Sequence, residues 1–109
     1  GANQGIQFPL ARAYAETEAA ELVARKAAAL FEAGVPCGAE ANMAKLLCAE
    51  AGWHAAEACM QTFGGFAFAR EYDIERKWRE ARLYLTAPIS TNLVLAYLGQ
   101  HVLGLSKSY

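Results

Sequence analysis

The sequence predicts an all-α fold, a helical bundle built as a single domain. Its 109 residues suffice for one domain with one hydrophobic core. The chain contains 24 alanines, and alanine favours the helix more than any other residue. Hydrophobic residues make up 55% of the chain, which excludes an intrinsically disordered protein. β-branched residues are few and scattered, so no segment is predicted to form a strand.

The charge and the apolar pattern argue against several classes of function. A net charge of −1 disfavours a nucleic-acid-binding protein, because such proteins carry a clustered basic face. No apolar run reaches the roughly 18–20 residues of a membrane span, so no membrane association is predicted. The N-terminus shows no basic segment followed by an apolar run, and we expect no signal peptide. Cys37, Cys48 and Cys59 form no CxxC pair, which favours a reducing, cytoplasmic location.

The first helix is predicted from about Phe8 to Phe31. Small and apolar residues recur there at intervals of three and four, as on one face of an amphipathic helix. They are Leu10, Ala13, Thr17, Ala20, Ala24, Ala27 and Phe31. Gly34 suits the left-handed position that follows a helix, and Pro36 cannot continue one. The helix is therefore expected to end just before Gly34.

A second long helix is predicted from about Ala39 to Thr62. Its larger apolar residues again follow helical spacing; they are Leu46, Ala49, Trp53, Ala56, Met60 and Phe63. Gly64 and Gly65 end this helix, because two adjacent glycines disfavour the helix and permit positive φ. The segment that follows, Phe66 to Tyr72, is predicted to be a loop.

Two shorter helices complete the predicted bundle. One runs from Asp73 to about Leu83, with Asp73 as its N-cap and Trp78 as its apolar anchor. Ser90 is the predicted N-cap of the last helix, Thr91 to Leu103, and Leu105 to Tyr109 form a tail. Short connections between these helices favour a bundle with antiparallel neighbours.

A polar face on the second helix raises the question of a metal site. Glu50, His54, Glu57 and Gln61 lie at helical spacing on this face. A di-iron bundle needs Glu-x-x-His on each of two helices, and this chain carries no second copy. A polar face directed to solvent or to a partner is therefore favoured, and no metal ligand is predicted.

The cysteines and the second histidine have structural interpretations. Cys48 and Cys59 are eleven residues apart and share a helix face, so they are predicted to be small buried apolar residues. His101 lies near the end of the last helix, where it is predicted to interact with the helix dipole. Neither histidine comes with the partners of a catalytic triad.

The segment Gln61 to Phe68 is a more specific indication of function than the polar face, the cysteines or His101. A glutamine on the last helical turn precedes two glycines and then alternating aromatic residues. A simple helix stop needs one glycine and leaves Gly65 unexplained. A second glycine is useful where a flat or anionic ligand approaches the backbone closely. From the pattern alone, a helix stop and a ligand-binding turn remain equally favoured.

The same segment and the residues after it resemble the C-terminal domain of the acyl-CoA dehydrogenases. That family carries Q-x-x-G-G-x-G-[FY], E-Y-x-[VI]-E-R and R-D-A-[RK] at this spacing, and this chain has Gln61–Phe68, Glu71–Arg76 and Arg79–Tyr84. Upstream, Ala44-Lys45 matches the family's A-K, and the start at Gly1–Gln4 is similar to the segment after its R-x-x-F-G. The resemblance covers essentially the whole chain.

The resemblance implies a fold and an activity. Residues 1–109 would be a four-helix-bundle-type C-terminal domain lacking its first helix, cut from a protein with two further domains. The full-length protein would use FAD to dehydrogenate an acyl-CoA thioester between its α and β carbons. Its electrons would pass to an electron-transfer flavoprotein, and its C-terminal domains would assemble a homo-oligomer, a tetramer in this family.

The resemblance also assigns cofactor contacts to individual residues. The turn would touch the FAD of a neighbouring subunit through Gln61, Gly64 and Gly65. Gln4 would match the glutamine near the flavin adenine, and Ser90 and Asn92 would match the polar positions after the catalytic loop.

One departure concerns the catalytic base. Many members carry a glutamate just before the last helix, and Pro88 stands at that position here. Proline cannot accept a proton, so no catalytic residue is predicted in this chain, although some members carry the base on the helix that is missing here. A same-fold flavin oxidase or monooxygenase, and a non-catalytic oligomerisation module, remain alternatives. The missing helix would leave an apolar face uncovered, so self-association of the chain is expected.

Overall fold

The computed structural model describes residues 1–107 and confirms the all-helical prediction; within that range no strand occurs. The four α-helices are α1 (Gln4–Glu32), α2 (Gly38–Phe63), α3 (Ile74–Leu83) and α4 (Thr91–Tyr97). Two 3₁₀ turns, Gly64–Phe68 and Arg70–Tyr72, connect α2 to α3, and a π-turn, Leu98–Val102, follows α4. The end of the predicted tail, Ser108 and Tyr109, lies outside the described residues.

Helix α1 begins four residues before its predicted start. The side chain of Asn3 accepts a hydrogen bond from the Gly5 amide at 2.8 Å, which caps the new N-terminus. Pro9 is tolerated inside the helix because it lies close to this end. The C-terminus is as predicted, with Gly34 at φ 68° and the Val35 amide donating to the Leu30 carbonyl at 2.9 Å.

Helices α1 and α2 pack against each other through alanine. Ala13, Ala20 and Ala27 are buried at intervals of seven along α1. Ala58 shares a cleft with Ala13, and Ala51 shares one with Ala20, so the two rows face each other in antiparallel order. Small side chains allow the two helix axes to approach closely, but they bury little apolar area.

Trp78 anchors α3 to α2, as predicted. Its ring lies 5.2 Å from that of Trp53, centroid to centroid, and its indole N–H donates to the Glu57 carboxylate. The Arg82 guanidinium lies over the Trp53 ring at 5.6 Å, a cation–π distance. Two tryptophan rings thus form the centre of this contact between α2 and α3, with Glu57 and Arg82 beside them.

Helix α4 closes against the beginning of α2. The Ser90 hydroxyl accepts a hydrogen bond from the Leu93 amide at 3.3 Å, so the predicted cap is confirmed. The helix changes to a π-turn after Tyr97, and Gly104 at φ 69° ends the helical path. The Tyr97 hydroxyl lies directly over Gly38, the first residue of α2.

The core is small for a chain of this length. Among residues 1–107 the buried apolar residues are seven alanines and Val94. The chain exposes 7630 Å², whereas a compact monomer of its mass exposes about 5,900 Å². Exposed large side chains such as Phe31 and Leu22 account for part of this excess. The exposed apolar faces are therefore large enough to be typical of surfaces that pack against another protein or domain.

Membrane insertion of these helices finds no support in the structure. In residues 1–107, no helix has both the length and the apolar character needed to cross a bilayer.

The contact between Tyr97 and Gly38 predicts a specific sensitivity. A methyl group in Gly38→Ala would overlap the Tyr97 hydroxyl but would lie 3.5 Å from ring atom Cζ, an ordinary contact. We expect Gly38→Ala to lower the free energy of unfolding by about 1–2 kcal/mol. The same substitution in a Tyr97→Phe background should be nearly neutral. Denaturation of the four proteins in a double-mutant cycle measures this coupling; equal losses in both backgrounds would contradict it.

Candidate functional site

The residues assigned to cofactor contact divide between the two ends of α2. Gln61, Gly64 and Gly65 lie at its C-terminal end. Gln4 begins α1, which runs antiparallel to α2, and Pro9 shares a cleft with Gln61, so Gln4 belongs to the same end of the bundle. Ser90 and Asn92 lie at the start of α4, outside this group.

The two glycines of the turn differ in what the fold requires of them. Gly64 has φ 57° and ψ −132°, and its amide donates to the Met60 carbonyl. A side chain would be strained at that φ. Gly65 does not have a positive φ, and a Cβ built on it would meet nothing within 4 Å. The chain's own fold therefore requires a glycine at Gly64 and not at Gly65.

The segment after these glycines, predicted to be a loop, instead forms the two 3₁₀ turns. Ala67 is completely buried, which fixes the first turn to the bundle. Phe66 and Phe68 are 67% and 73% exposed. The Tyr72 ring meets two of the aromatic rings, with centroids 5.6 Å from Phe63 and 5.7 Å from Phe66. An aromatic cluster thus lies on the surface beside the turn.

Gln61 lies in a cleft between α1 and α2. The cleft has a volume of about 380 Å³, and its polar lining also includes Arg12, Glu16 and His54. Within residues 1–107 the Gln61 side chain makes no hydrogen bond. Its amide donors and its carbonyl acceptor therefore remain available to a group outside the chain.

Two residues of the predicted polar face of α2 contact side chains of other helices. His54 Nδ1 lies 2.7 Å from the Glu16 carboxylate on α1, and Glu57 accepts the Trp78 N–H. These partners are 38 and 21 residues away in the sequence, so no local pattern predicts them. In the described part of the chain no three His, Cys, Asp or Glu residues are arranged to hold a metal ion.

The predicted burial of Cys48 requires correction. Cys48 is exposed rather than buried, although its thiol lies 3.7 Å from the Ala20 carbonyl of α1 and donates to it. Cys37 and Cys59 are half-buried, and all three thiols are free. His101 lies in the last turn of the π-helical segment, at the helix end where the sequence predicts it, and its ring also packs on the Tyr97 ring at 4.7 Å.

Ser90 and Asn92 do not join Gln61 within one chain. Helix α2 rises about 35 Å between Gly38 and Gln61. Tyr97 contacts the Gly38 end, and the start of α4 lies within about 10 Å of Tyr97. Ser90 and Asn92 are thus at least about 15 Å from Gln61. The Ser90 hydroxyl is already used as the cap of α4.

The segment between α3 and α4 offers no titratable group at Pro88. Pro88 is exposed in this connection. Glu80, the carboxylate that precedes it, pairs with Arg76 on the same helix at 2.7 Å, and both side chains are about half exposed. An exposed ion pair thus accounts for the Glu80 carboxylate.

Asp73 occupies the predicted N-cap position of α3, but its side chain does not act as a cap. Its φ is 60°, and the side chain makes no capping hydrogen bond. Two hydrogen bonds from the Arg76 guanidinium, at 2.5 and 2.6 Å, hold its carboxylate instead. These bonds lower the pKa of Asp73, and the Arg79 guanidinium likewise lowers the pKa of Glu75. Asp73 therefore turns the chain from the aromatic cluster into α3.

Comparison with known proteins decides the family. The family model "Acyl-CoA dehydrogenase, C-terminal domain" matches residues 1–88, which include α1, α2, the glycine turn and α3. The chain belongs to the acyl-CoA dehydrogenase family. Its all-helical structure agrees with the helical C-terminal domain of these enzymes, which are oxidoreductases.

Acyl-CoA dehydrogenases from distant organisms are similar to this chain. Acyl-CoA dehydrogenase FadE12 of Mycobacterium tuberculosis is 42% identical over 111 residues, covering 100% of this chain and 29% of FadE12. An acyl-CoA dehydrogenase of Bacillus subtilis is 40% identical over 82 residues, covering 75% of this chain and 22% of that protein. The mitochondrial short/branched chain specific acyl-CoA dehydrogenase of Rattus norvegicus is 31% identical over 99 residues, covering 91% of this chain and 23% of that protein. The chain spans less than a third of the length of these relatives.

The arginine–carboxylate pairs of α3 predict a pH response with a defined sign. A lowered carboxylate pKa contributes stability above the ordinary pKa, and this contribution is lost as the pH falls through the lowered value. Arg76→Gln should raise the pKa of Asp73 towards its ordinary 3.8 and leave Glu75 unchanged. Arg79→Gln should raise the pKa of Glu75 towards 4.5 and leave Asp73 unchanged. An NMR titration that follows the side-chain carboxyl chemical shifts measures both pKa values. An unchanged pKa of Asp73 in Arg76→Gln would contradict the pairing.

Proposed function

We propose that residues 1–109 form the C-terminal helical domain, without its first helix, of a FAD-dependent acyl-CoA dehydrogenase. In this proposal the domain completes a flavin site and joins the subunits of a homo-oligomer. Family membership supports it. The observation that carries the flavin part is Gly65, an exposed glycine that the chain's own backbone and packing do not require.

The turn fits a flavin nucleotide chemically. Gly65 leaves its backbone open, so that a flat ring or a pyrophosphate can approach to hydrogen-bond distance. The unpaired Gln61 amide supplies both donors and an acceptor, which match the polar edge of a flavin. FAD, when bound, supplies the hydride acceptor for α,β-dehydrogenation of an acyl-CoA thioester. The part of Gln61, Gly64 and Gly65 is to hold and orient that group.

The remaining assigned contacts belong to the same proposal. Gln4 would bind near the flavin adenine, from the same end of the bundle as the turn. Asn92 is exposed, and Ser90 would add a polar contact while it caps α4. Because these two residues lie apart from Gln61 in one chain, the proposal assigns the turn to the flavin of a neighbouring subunit.

Assembly of several chains is supported by the exposed area. The excess of about 1,700 Å² over a compact monomer lies within the range that each partner buries in large obligate interfaces. Part of it would be covered by the other domains of the same protein. In the full-length protein the partners would be an acyl-CoA substrate and an electron-transfer flavoprotein. Three free thiols are compatible with a reducing, cytoplasmic location.

The proposal places the catalytic base outside residues 1–109. A general base must lie within hydrogen-bond reach of the substrate α-proton. Pro88 has no group that accepts a proton, and the Glu80 carboxylate is paired with Arg76 on an exposed helix face. A carboxylate on an upstream helix, which some members of the family use, would take this role.

Gly65→Val in the full-length protein tests the flavin contact. We expect the Kd for FAD to rise at least about tenfold, because the added side chain occupies the space of the ligand. Gly65→Ala should give a smaller effect. Since a Cβ at Gly65 meets nothing within 4 Å, the circular dichroism spectrum should not change. Retention of FAD by Gly65→Val at the parental affinity would overturn the assignment of this turn.

Glu80→Gln in the full-length protein tests the location of the base. We expect solvent-deuterium exchange at the α-carbon of bound acyl-CoA to be unchanged, because Glu80 serves an ion pair. Removal of the carboxylate on the upstream helix should abolish the exchange. A general base contributes about 10²–10⁴-fold to a rate. A loss of that size in Glu80→Gln would place the base within this chain and disprove the alignment at Pro88.

A further inference from the structure

The aromatic cluster beside the glycine turn holds the turn in place through one residue. We infer that Tyr72 is a positioning residue: its ring fixes the two sides of the Gly64–Gly65 turn and thereby orients the backbone proposed to meet the flavin. The inference rests on the proposed function, which names the turn but assigns no part to Tyr72.

The geometry places the Tyr72 ring across the turn. Phe63 is the last residue of α2, before the two glycines, and Phe66 follows them in the first 3₁₀ turn. The Tyr72 ring meets Phe63 at 5.6 Å with an interplanar angle of 61°, and Phe66 at 5.7 Å with an angle of 66°. Both are edge-to-face contacts, the arrangement that aromatic pairs favour. One ring therefore connects the segments on either side of Gly64 and Gly65.

Apart from these ring contacts, the segment is held by backbone hydrogen bonds and by one buried residue. Two adjacent glycines have the largest conformational freedom of any pair of residues. In the described chain, no side-chain hydrogen bond is made by residues 63–72. Ala67, which is completely buried, fixes the far side of the first 3₁₀ turn. The ring contacts of Tyr72 are thus the side-chain interactions that bridge the glycine pair itself.

Tyr72 is itself held from the other side. Its amide donates to the Ala69 carbonyl at 3.2 Å in the second 3₁₀ turn. The next residue, Asp73, has a left-handed φ, and its carboxylate is bonded twice to Arg76 on α3. The ring is therefore presented from the start of α3, and α3 is anchored to α2 through Trp78. Tyr72 is therefore fixed to the bundle independently of the glycine pair that its ring contacts.

Three variants of the full-length protein separate this role from a general contribution to folding. Tyr72→Leu removes the ring, and Tyr72→Phe keeps the ring and removes only the hydroxyl. Phe68→Leu is the matched control, because Phe68 is an exposed aromatic residue of the same segment with no ring contact in the described residues. Amide hydrogen exchange of residues 61–69 reports on the turn, and the rate of FAD release reports on its function.

We expect exchange in residues 64–68 and FAD release to be on the order of tenfold faster in Tyr72→Leu, from the loss of two aromatic contacts. Tyr72→Phe and Phe68→Leu should match the parent in both measurements. Unchanged exchange in Tyr72→Leu, or an equal increase in Phe68→Leu, would overturn the inference.

The two measurements distinguish the positioning role from the proposed function. Faster exchange with unchanged FAD release would show that Tyr72 holds the turn and that the turn does not hold the flavin. In that case the assignment of Gln61 and Gly65 fails, and the part of the inference that concerns the flavin fails with it. If Tyr72→Leu does not fold, Phe66→Leu replaces it, since this variant removes one of the two contacts at an exposed position. Faster exchange in Phe66→Leu supports the inference, and unchanged exchange overturns it.

Discussion

The row of alanines between α1 and α2 is the constraint on which the rest of this structure depends. Alanine favours the helix and lets two long helices approach closely, which gives a closely packed antiparallel pair. The same small side chains bury little apolar surface, so Val94 is the largest side chain that is fully buried in the described residues. Larger residues such as Leu22 and Phe31 are left exposed. A bundle built in this way depends on surfaces beyond this chain for much of its hydrophobic stabilisation.

This constraint also determines where functional groups can lie. Helix α2 contacts each of the other helices and carries the glycine turn at its C-terminal end. Its N-terminal end contacts α4 through Tyr97 and Gly38. Polar residues at the two ends are therefore held at a fixed separation by a rigid helix and cannot meet in one pocket of one chain. Within one chain, the residues at the two ends of α2 therefore belong to separate surfaces.

The features that the sequence predicted correctly are those with a local cause. Gly34 ends α1 and Ser90 caps α4 through hydrogen bonds between residues at most five positions apart. The helical spacing of apolar residues located the two long helices. The features that it missed depend on contacts between elements. The pair His54–Glu16, the exposure of Cys48 and the left-handed φ of Asp73 result from how α1 and α3 pack on α2. For the site, the motif identified the turn, but the Tyr72 contacts on either side of it required the structure.

The two glycines of the turn show how a structure can separate folding from function. Gly64 has a backbone conformation that a side chain disfavours, so the fold alone accounts for it. Gly65 has neither a positive φ nor a neighbour that a Cβ would meet. Gly52 is similar, an exposed glycine inside α2 with open space beside it, although glycine costs about 1 kcal/mol relative to alanine within a helix. Neither Gly52 nor Gly65 is explained by contacts within the described chain. What distinguishes Gly65 from Gly52 is its place in a turn one helical turn after Gln61, and the proposed flavin contact depends on that difference.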